Sequence, residues 1–375
     1  MAALIANDLA REIRLSNSEG AIVSKRMHSA TGVIATAGYA LLRVLPVKMA
    51  SDFMALFAVR FARFLVREKV IRRNLRAAFP DLDEPALDAL MKKIVANFGR
   101  LLAEVVHIPT YVAGKQGTIV NASGSLEHTF QQSRQAIYVS AHLGNWELVP
   151  IVLRRRSRML VIYSLIGNPV IDNLLLSQRR KTGSIYVEKS KALRASIKAM
   201  KRGDSVGLLV DQRVERGIEV TFFGRPTIVT DLPARLALKF NCPIIPAEAV
   251  RAGPRRCQVM VHEPIWPGEN RGEQAVRDLT QQMASVVEDC IRKRPDEWCC
   301  DKRRWKKSDR TQSTAGFSTT PRSARSSTSV AQGINSSRAW VSPMHGNSAQ
   351  QETCTPDAAY WFGRKRRKST GRPNL

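Results

Sequence analysis

A chain of 375 residues is long enough for one large or two ordinary domains, and 44% hydrophobic content excludes a wholly unstructured polymer. The formal net charge of +27 points to anionic partners; residues 1–307 hold 49 basic against 29 acidic residues, so the excess is not confined to the end of the chain. The six cysteines form no C-x-x-C pair, which argues against a zinc pattern or a disulfide framework and suits a reducing compartment.

Residues 1–27 are mixed and charged and lack the apolar core of a signal peptide. They read as an N-terminal extension, with Met27 a candidate start. Residues 28–110 are expected to form a membrane-associated helical region. The stretch 29–42 carries no charge, and Phe53 to Val59 is apolar. Neither reaches the roughly 18 apolar residues of a spanning helix, so surface attachment fits better, with ordinary core helices as the plain alternative. Seven cations follow between Arg60 and Arg76, either against anionic headgroups or on a solvated helix face. Asp83 is placed to cap a helix whose Leu87, Met91, Ile94, Phe98 and Leu101 recur at helical spacing.

Residues 111–307 change to alternating elements. Strands are predicted at 136–141, 158–164, 184–188, 205–210, 218–223, 243–250 and 256–262. Helices are predicted at 146–155, 169–181, 190–202, 231–241 and 273–294. This alternation implies an α/β sheet with helices on both faces, and site residues then collect at the carboxyl ends of strands. Residues 308–375 form a Ser-, Thr- and Arg-rich basic tail without apolar periodicity, expected to be disordered.

The chemistry centres on Ala136 to Val149, AIYVSAHLGNWELV. A strand ends in His142, Leu143-Gly144-Asn145 turns, and Trp146-Glu147 opens a helix. On a continuous helix positions five apart do not meet; across such a turn they do, because Gly144 admits unusual angles and Asn145 is a good N-cap. His142 with Glu147 behind it is a general base in a fixed tautomer, and backbone N–H groups near Gly144 and Asn145 are candidate oxyanion donors. Spacing alone leaves equally open a strand-end His that merely precedes a helical Glu. No Ser or Cys stands beside His142 as a nucleophile, so direct transfer to a substrate hydroxyl is the simplest reaction. Asp211 ends another strand candidate, which favours one shared site, although turn caps also look like this. Arg179, at a helix end, either answers the helix dipole or holds a phosphate or oxyanion. In Phe222-Phe223-Gly224-Arg225, the aromatics are either an acyl-chain wall or hairpin core, with Arg225 a candidate phosphate contact. No metal or cofactor is called for.

HLGNWE resembles the H-x4-D/E motif in the Glu form found in bacterial lipid A biosynthesis (lauroyl/myristoyl) acyltransferases. NLRAAFPDL at 74–82, NPVIDNLLLSQRR at 168–180, GLLVDQR at 207–213, VTFFGRPTIVTDLPARLA at 220–237 and PDEWCCDKRRWKK at 295–307 resemble that family in the same order. The resemblance covers roughly residues 30–307. It implies a mixed sheet flanked by helices, as in glycerolipid acyltransferases, with an N-terminal membrane-associated helical segment. It implies a donor on acyl carrier protein (or acyl-coenzyme A), and a phosphorylated glycolipid acceptor that is a precursor of lipid A. It also implies a place on the cytoplasmic face of the bacterial inner membrane, in contact with its lipids. Arg179 falls where the family has a functional arginine, and Asp211 where an aspartate lies beside the active site. Lys302 stands where the family's closing segment has a histidine. Lysophospholipids and other glycolipids are the alternative acceptors. A basic nucleic-acid-binding protein is a remote alternative, without zinc, RNA-recognition or helix-turn-helix signatures; no nucleic-acid partner is expected.

Overall fold

The computed structural model describes residues 32–62, 66–115, 119–124, 133, 135–253 and 256–306. The expectations for the 1–27 extension and the 308–375 tail lie outside the described residues. The N-terminal part is helical: α1 (32–44), α2 (Val47–Arg60), α3 (Glu68–Ala78), α4 (Glu84–Val106) and α5 (Ile108–Val112). Asp83 caps α4, its carboxylate accepting from the Ala86 N–H at 2.8 Å. Helix α2 buries Val47, Ala50, Ser51, Ala55 and Ala58 and packs on α4. The approach is close: a Cβ on Gly99 would lie 2.2 Å from the Met54 carbonyl oxygen. Phe53, Leu56 and Phe57 of α2 remain exposed. Among the described residues no helix is long and apolar enough to cross a membrane. Part of the basic run is a paired helix face, since Arg72 and Arg76 bridge to Glu84, and Arg72 also to Asp88.

The sheet holds β1 (Ile119–Gly124), β2 (Ile137–Ser140), β3 (Met159–Tyr163), β4 (Ile185–Glu188), β5 (Ser205–Leu209), β8 (Ile244–Arg251) and β9 (Arg256–Val261), in the order β1-β9-β8-β2-β5-β3-β4. Strands β8, β2, β5, β3 and β4 run parallel, whereas β9 is antiparallel to β8 and β1 follows β9. The sheet is therefore mixed, as expected. Strands β6 (Ile218–Phe222) and β7 (Arg225–Val229) form a separate antiparallel hairpin. The remaining helices are α6 (Val149–Leu153), α7 (Pro169–Arg180), α8 (Ala192–Lys201), α9 (Leu232–Phe240) and α10 (Glu273–Lys293).

Strand periodicity divides the core into two layers. Ile137, Val139, Val206 and Leu208 join Leu236 of α9, Met283 of α10 and Leu75 of α3. Tyr138, Met159, Ala247 and Val259 join Ile151 of α6, Leu101 of α4 and Ile108 of α5.

The helix expected at 146–155 is a 3-10 turn, Trp146–Leu148, followed by the five-residue α6. Pro150 accounts for this: it lacks an N–H and is tolerated in the first turn of a helix, so the helix starts afresh around it. Strand β7 is absent from the predicted strands, although the hairpin alternative for Phe222 to Arg225 required a partner for β6; its Pro226 is accommodated in a two-stranded ribbon. Phe223 (φ 54) and Gly224 (φ 68) make the two-residue turn of that hairpin. Phe222 and Phe223 are buried, and Phe223 stacks on Trp298 at 5.8 Å; they are core, not an acyl-chain wall. Arg225 donates from Nε to the Ala77 carbonyl at 3.2 Å and does not line the cavity described below, so it is no phosphate contact there.

Candidate active site

Parallel β2 and β5 end side by side, which brings His142 and Asp211 together. His142 Nδ1 lies 2.7 Å from Asp211 Oδ1. Asp211 is 3% exposed, and its other oxygen accepts from Trp298 Nε1–H at 3.0 Å. Burial alone would push this carboxyl up; the neighbouring His142, the hydrogen bonds from His142 and Trp298, and the Arg304 charge hold it below the usual carboxylate range. An ionised carboxylate only accepts, so Nδ1 carries the proton and Nε2 keeps its lone pair. The Gln212 amide donates to that Nε2 at 3.1 Å. The Trp146 ring meets the imidazole edge-on at 4.9 Å.

Glu147 is not the carboxylate behind His142, contrary to the sequence reading. It forms a bidentate pair with Arg179: Nε donates to Oε2 at 2.9 Å and Nη2 to Oε1 at 2.6 Å. The turn through Gly144 puts Glu147 onto α7 instead, where burial disfavours the Arg179 charge but Glu147 outweighs it and raises the guanidinium's proton affinity. Both partners are largely buried. Breaking such a pair from one side strands the other charge, so Glu147→Ala is expected to cost about 3–5 kcal/mol of stability, read by denaturant unfolding.

The turn is fixed from below. Gly144 sits at φ +58, and a Cβ there would lie 2.2 Å from the Ala249 carbonyl oxygen. Its N–H donates to the Glu297 carbonyl at 3.2 Å, so it is not the oxyanion donor expected from sequence. Asn145 is buried and does not cap a helix; its amide donates to Glu104 Oε2 at 2.7 Å. Glu104 also receives Ser51 Oγ at 3.1 Å and pairs with Arg251. Gly144 and Asn145 are thus positioning residues. The Cys299 N–H donates to the His142 carbonyl at 2.8 Å, so the segment that carries Trp298 holds both halves of the site. Asn74 of α3 anchors that segment, donating to the carbonyls of Cys300 (2.8 Å) and Lys302 (2.7 Å).

Burial pushes the Glu297 carboxyl up to about 7, against the pull of Arg251 and Arg294. Its Oε2 has no hydrogen-bond partner among the described residues. A folded-state value above the ordinary one favours the neutral acid. Its stability contribution is therefore complete below the ordinary carboxylate range and lost as pH rises through about 7. The expected result is a Tm that falls over this interval in the wild type, and falls less in Glu297→Gln.

His142, Trp146, Glu147, Arg179 and Gln212 line one cavity of about 1390 Å³. Tyr138, Met159, Val161 and Ala247 line it too, and the exposed cations Lys189, Arg216 and Lys302 border it. Such a volume exceeds an ordinary small-molecule pocket and suits a long apolar group. Asp211 lies behind His142, outside the lining. Elsewhere Glu248, His262 and Cys290 converge, with His262 Nε2 3.1 Å from Glu248 and 3.4 Å from Cys290 Sγ. Arg294 already pairs with Glu248, burial pushes the Cys290 thiol up to about 12, and none of the three lines the cavity.

Sequence reasoning gave no role to Gln212, although it adjoins Asp211, or to Trp298, which it placed only in the closing PDEWCCDKRRWKK segment. The chemical capacity is that of a histidine base, oriented by a buried aspartate, beside a large apolar cavity with cations at its margin.

The family model described as bacterial lipid A biosynthesis acyltransferase matches residues 23–307. Two phosphatidylinositol mannoside acyltransferases of Mycobacterium tuberculosis, from strains ATCC 25618 / H37Rv and CDC 1551 / Oshkosh, are each 23% identical over 280 residues, covering 72% of this chain and 87% of theirs. Among solved structures, the 1-acyl-sn-glycerophosphate (LPA) acyltransferase PlsC from Thermotoga maritima matches with a TM-score of 0.32 and 16% identity, over 72% of this chain and 99% of that one.

Proposed function

The chain belongs to the bacterial lipid A biosynthesis acyltransferase family, and we propose that it moves a fatty acyl chain from acyl carrier protein to a hydroxyl of a lipid A precursor. The observation that carries this reading is His142, held by Asp211 at the wall of a cavity large and apolar enough for an acyl chain. His142 Nε2 takes the proton of the acceptor hydroxyl, which displaces the Gln212 amide from that position. The hydroxyl oxygen attacks the thioester carbonyl, and the displaced amide faces the developing oxyanion. As the carbon–sulfur bond breaks, the imidazolium returns the proton to the departing thiolate. Asp211 holds the proton on Nδ1 throughout and stabilises the imidazolium. Glu147 and Arg179 shape the wall beside it.

Lys189, Arg216 and Lys302 supply the positive margin for an anionic acceptor and an acidic carrier. The exposed Phe53, Leu56 and Phe57 of α2 support attachment to the lipid of the inner membrane at its cytoplasmic face. Exposed cations are screened within about 10 Å at 0.1 M salt, so the acceptor KM is expected to rise as ionic strength rises. A KM independent of salt would remove the electrostatic part of this reading.

The relatives named phosphatidylinositol mannoside acyltransferases favour a second acceptor, a phosphatidylinositol mannoside. Membranes carrying the full chain would be given labelled acyl carrier protein donors and three acceptors: a tetra-acylated lipid A precursor, a phosphatidylinositol mannoside and lysophosphatidic acid. Transfer to the lipid A precursor is the expected result. Transfer only to the mannoside would support the second reading, and transfer only to lysophosphatidic acid would overturn both.

A further inference from the structure

Among the strand residues that line the cavity, one has no side chain, Gly207 in the middle of β5. Gly207 pairs in register with Tyr138 of β2 and with Val161 of β3, and all three line the cavity. Tyr138 precedes His142 by four residues, so this row lies about 13 Å along the strand from the base. A Cβ built on Gly207 would meet the terminal methyl of Met159 at 2.5 Å, and nothing else nearer than 3.9 Å. The buried Met159 thus lies across the gap that Gly207 leaves. Methionine fills irregular space adaptably, and its far end gives way more easily than backbone or a branched side chain.

We propose that Met159, lying across Gly207, is the stop that sets which acyl-chain length the cavity accepts. This rests on the cavity being the acyl site. The tail of the acyl chain runs from the thioester near His142 along the sheet, past Val161, to the Met159 methyl. A donor whose last methylene reaches that methyl fills the space; a longer one must displace it.

Both residues can be changed in opposite senses. Gly207→Ala forces the Met159 methyl to move into the cavity and shortens it. Met159→Ala removes the stop and lengthens it. One methylene in an apolar pocket discriminates by roughly tenfold or more. Competition among donors from decanoyl to stearoyl, on membranes carrying the full chain, is therefore expected to shift roughly tenfold toward shorter chains in Gly207→Ala and toward longer chains in Met159→Ala. The double variant is expected to lie between them, because the two changes act on one space. Should Met159→Ala fail to fold, the volume-conserving Met159→Leu, stiffer at the same place, is expected to narrow the range of donors. A second readout needs no acceptor: displacement of a bound fluorescent fatty acid from purified protein by unlabelled fatty acids of increasing length. Equal loss with every donor, or an unchanged length profile in folded Gly207→Ala by both readouts, would overturn the proposal. A shifted binding profile with no transfer to any acceptor would support the stop and overturn the proposed transfer.

Discussion

Purified His142→Ala is expected to lose roughly 10²- to 10⁴-fold in acyl transfer while its acceptor KM stays near that of the wild type. His142 sits at one end of the cavity wall, and its contacts are to Asp211, Gln212 and Trp146. Its removal therefore leaves ground-state binding largely in place and takes away proton transfer in the transition state. The loss falls on kcat. Circular dichroism should show a folded protein, because the sheet beneath is buried by Ile137, Val139, Val206 and Leu208 and not by the imidazole. A loss below about tenfold in folded protein would mean that another group takes the proton.

Asp211→Asn is expected to cost up to about 10⁴-fold, the scale found when the same change is made behind a catalytic histidine. The reason is the tautomer. The carboxylate can only accept, so the Nδ1 proton is fixed and Nε2 stays free for the substrate. A carboxamide turned to keep the Trp298 bond presents its NH2 to Nδ1. The imidazole then carries its proton on Nε2, where the base is needed. Shape is nearly conserved, and Trp298 Nε1–H keeps an acceptor, so the variant should fold. Glu147→Gln gives the contrast: it weakens the pair to Arg179 without touching Nδ1. Its main expected effect is on stability.

Most of the strand-and-helix order was legible because the pattern is carried by local alternation. Residues 205–210 and 243–250 read as strands, and β5 and β8 lie there. The N-cap at Asp83 was legible for the same local reason. Strand β1 was not, since its partner β9 lies more than a hundred residues away and the pairing is made by the fold. The site divides in the same way. That His142 and Asp211 end neighbouring strands follows from topology, so their meeting was foreseeable. Which carboxylate faces the imidazole was not. A spacing of five admitted Glu147, but the turn at Gly144, locked by the Ala249 and Glu297 carbonyls, sends that side chain to Arg179. Those two carbonyls arrive from residues more than a hundred positions downstream. The same holds for Arg225, whose guanidinium is taken by the carbonyl of Ala77. Sequence patterns record what a residue type can do; the partner that claims it is set by distant backbone.

Whether His142 and Asp211 act as one unit in acyl transfer is read from the transfer rate of the double variant His142→Ala/Asp211→Asn beside each single variant and the wild type. Residues that act as a unit lose nothing twice. The expected result is a double variant no slower than His142→Ala alone. Losses that multiply, with the double slower by the product of the two single effects, would show two independent contributions and no such unit.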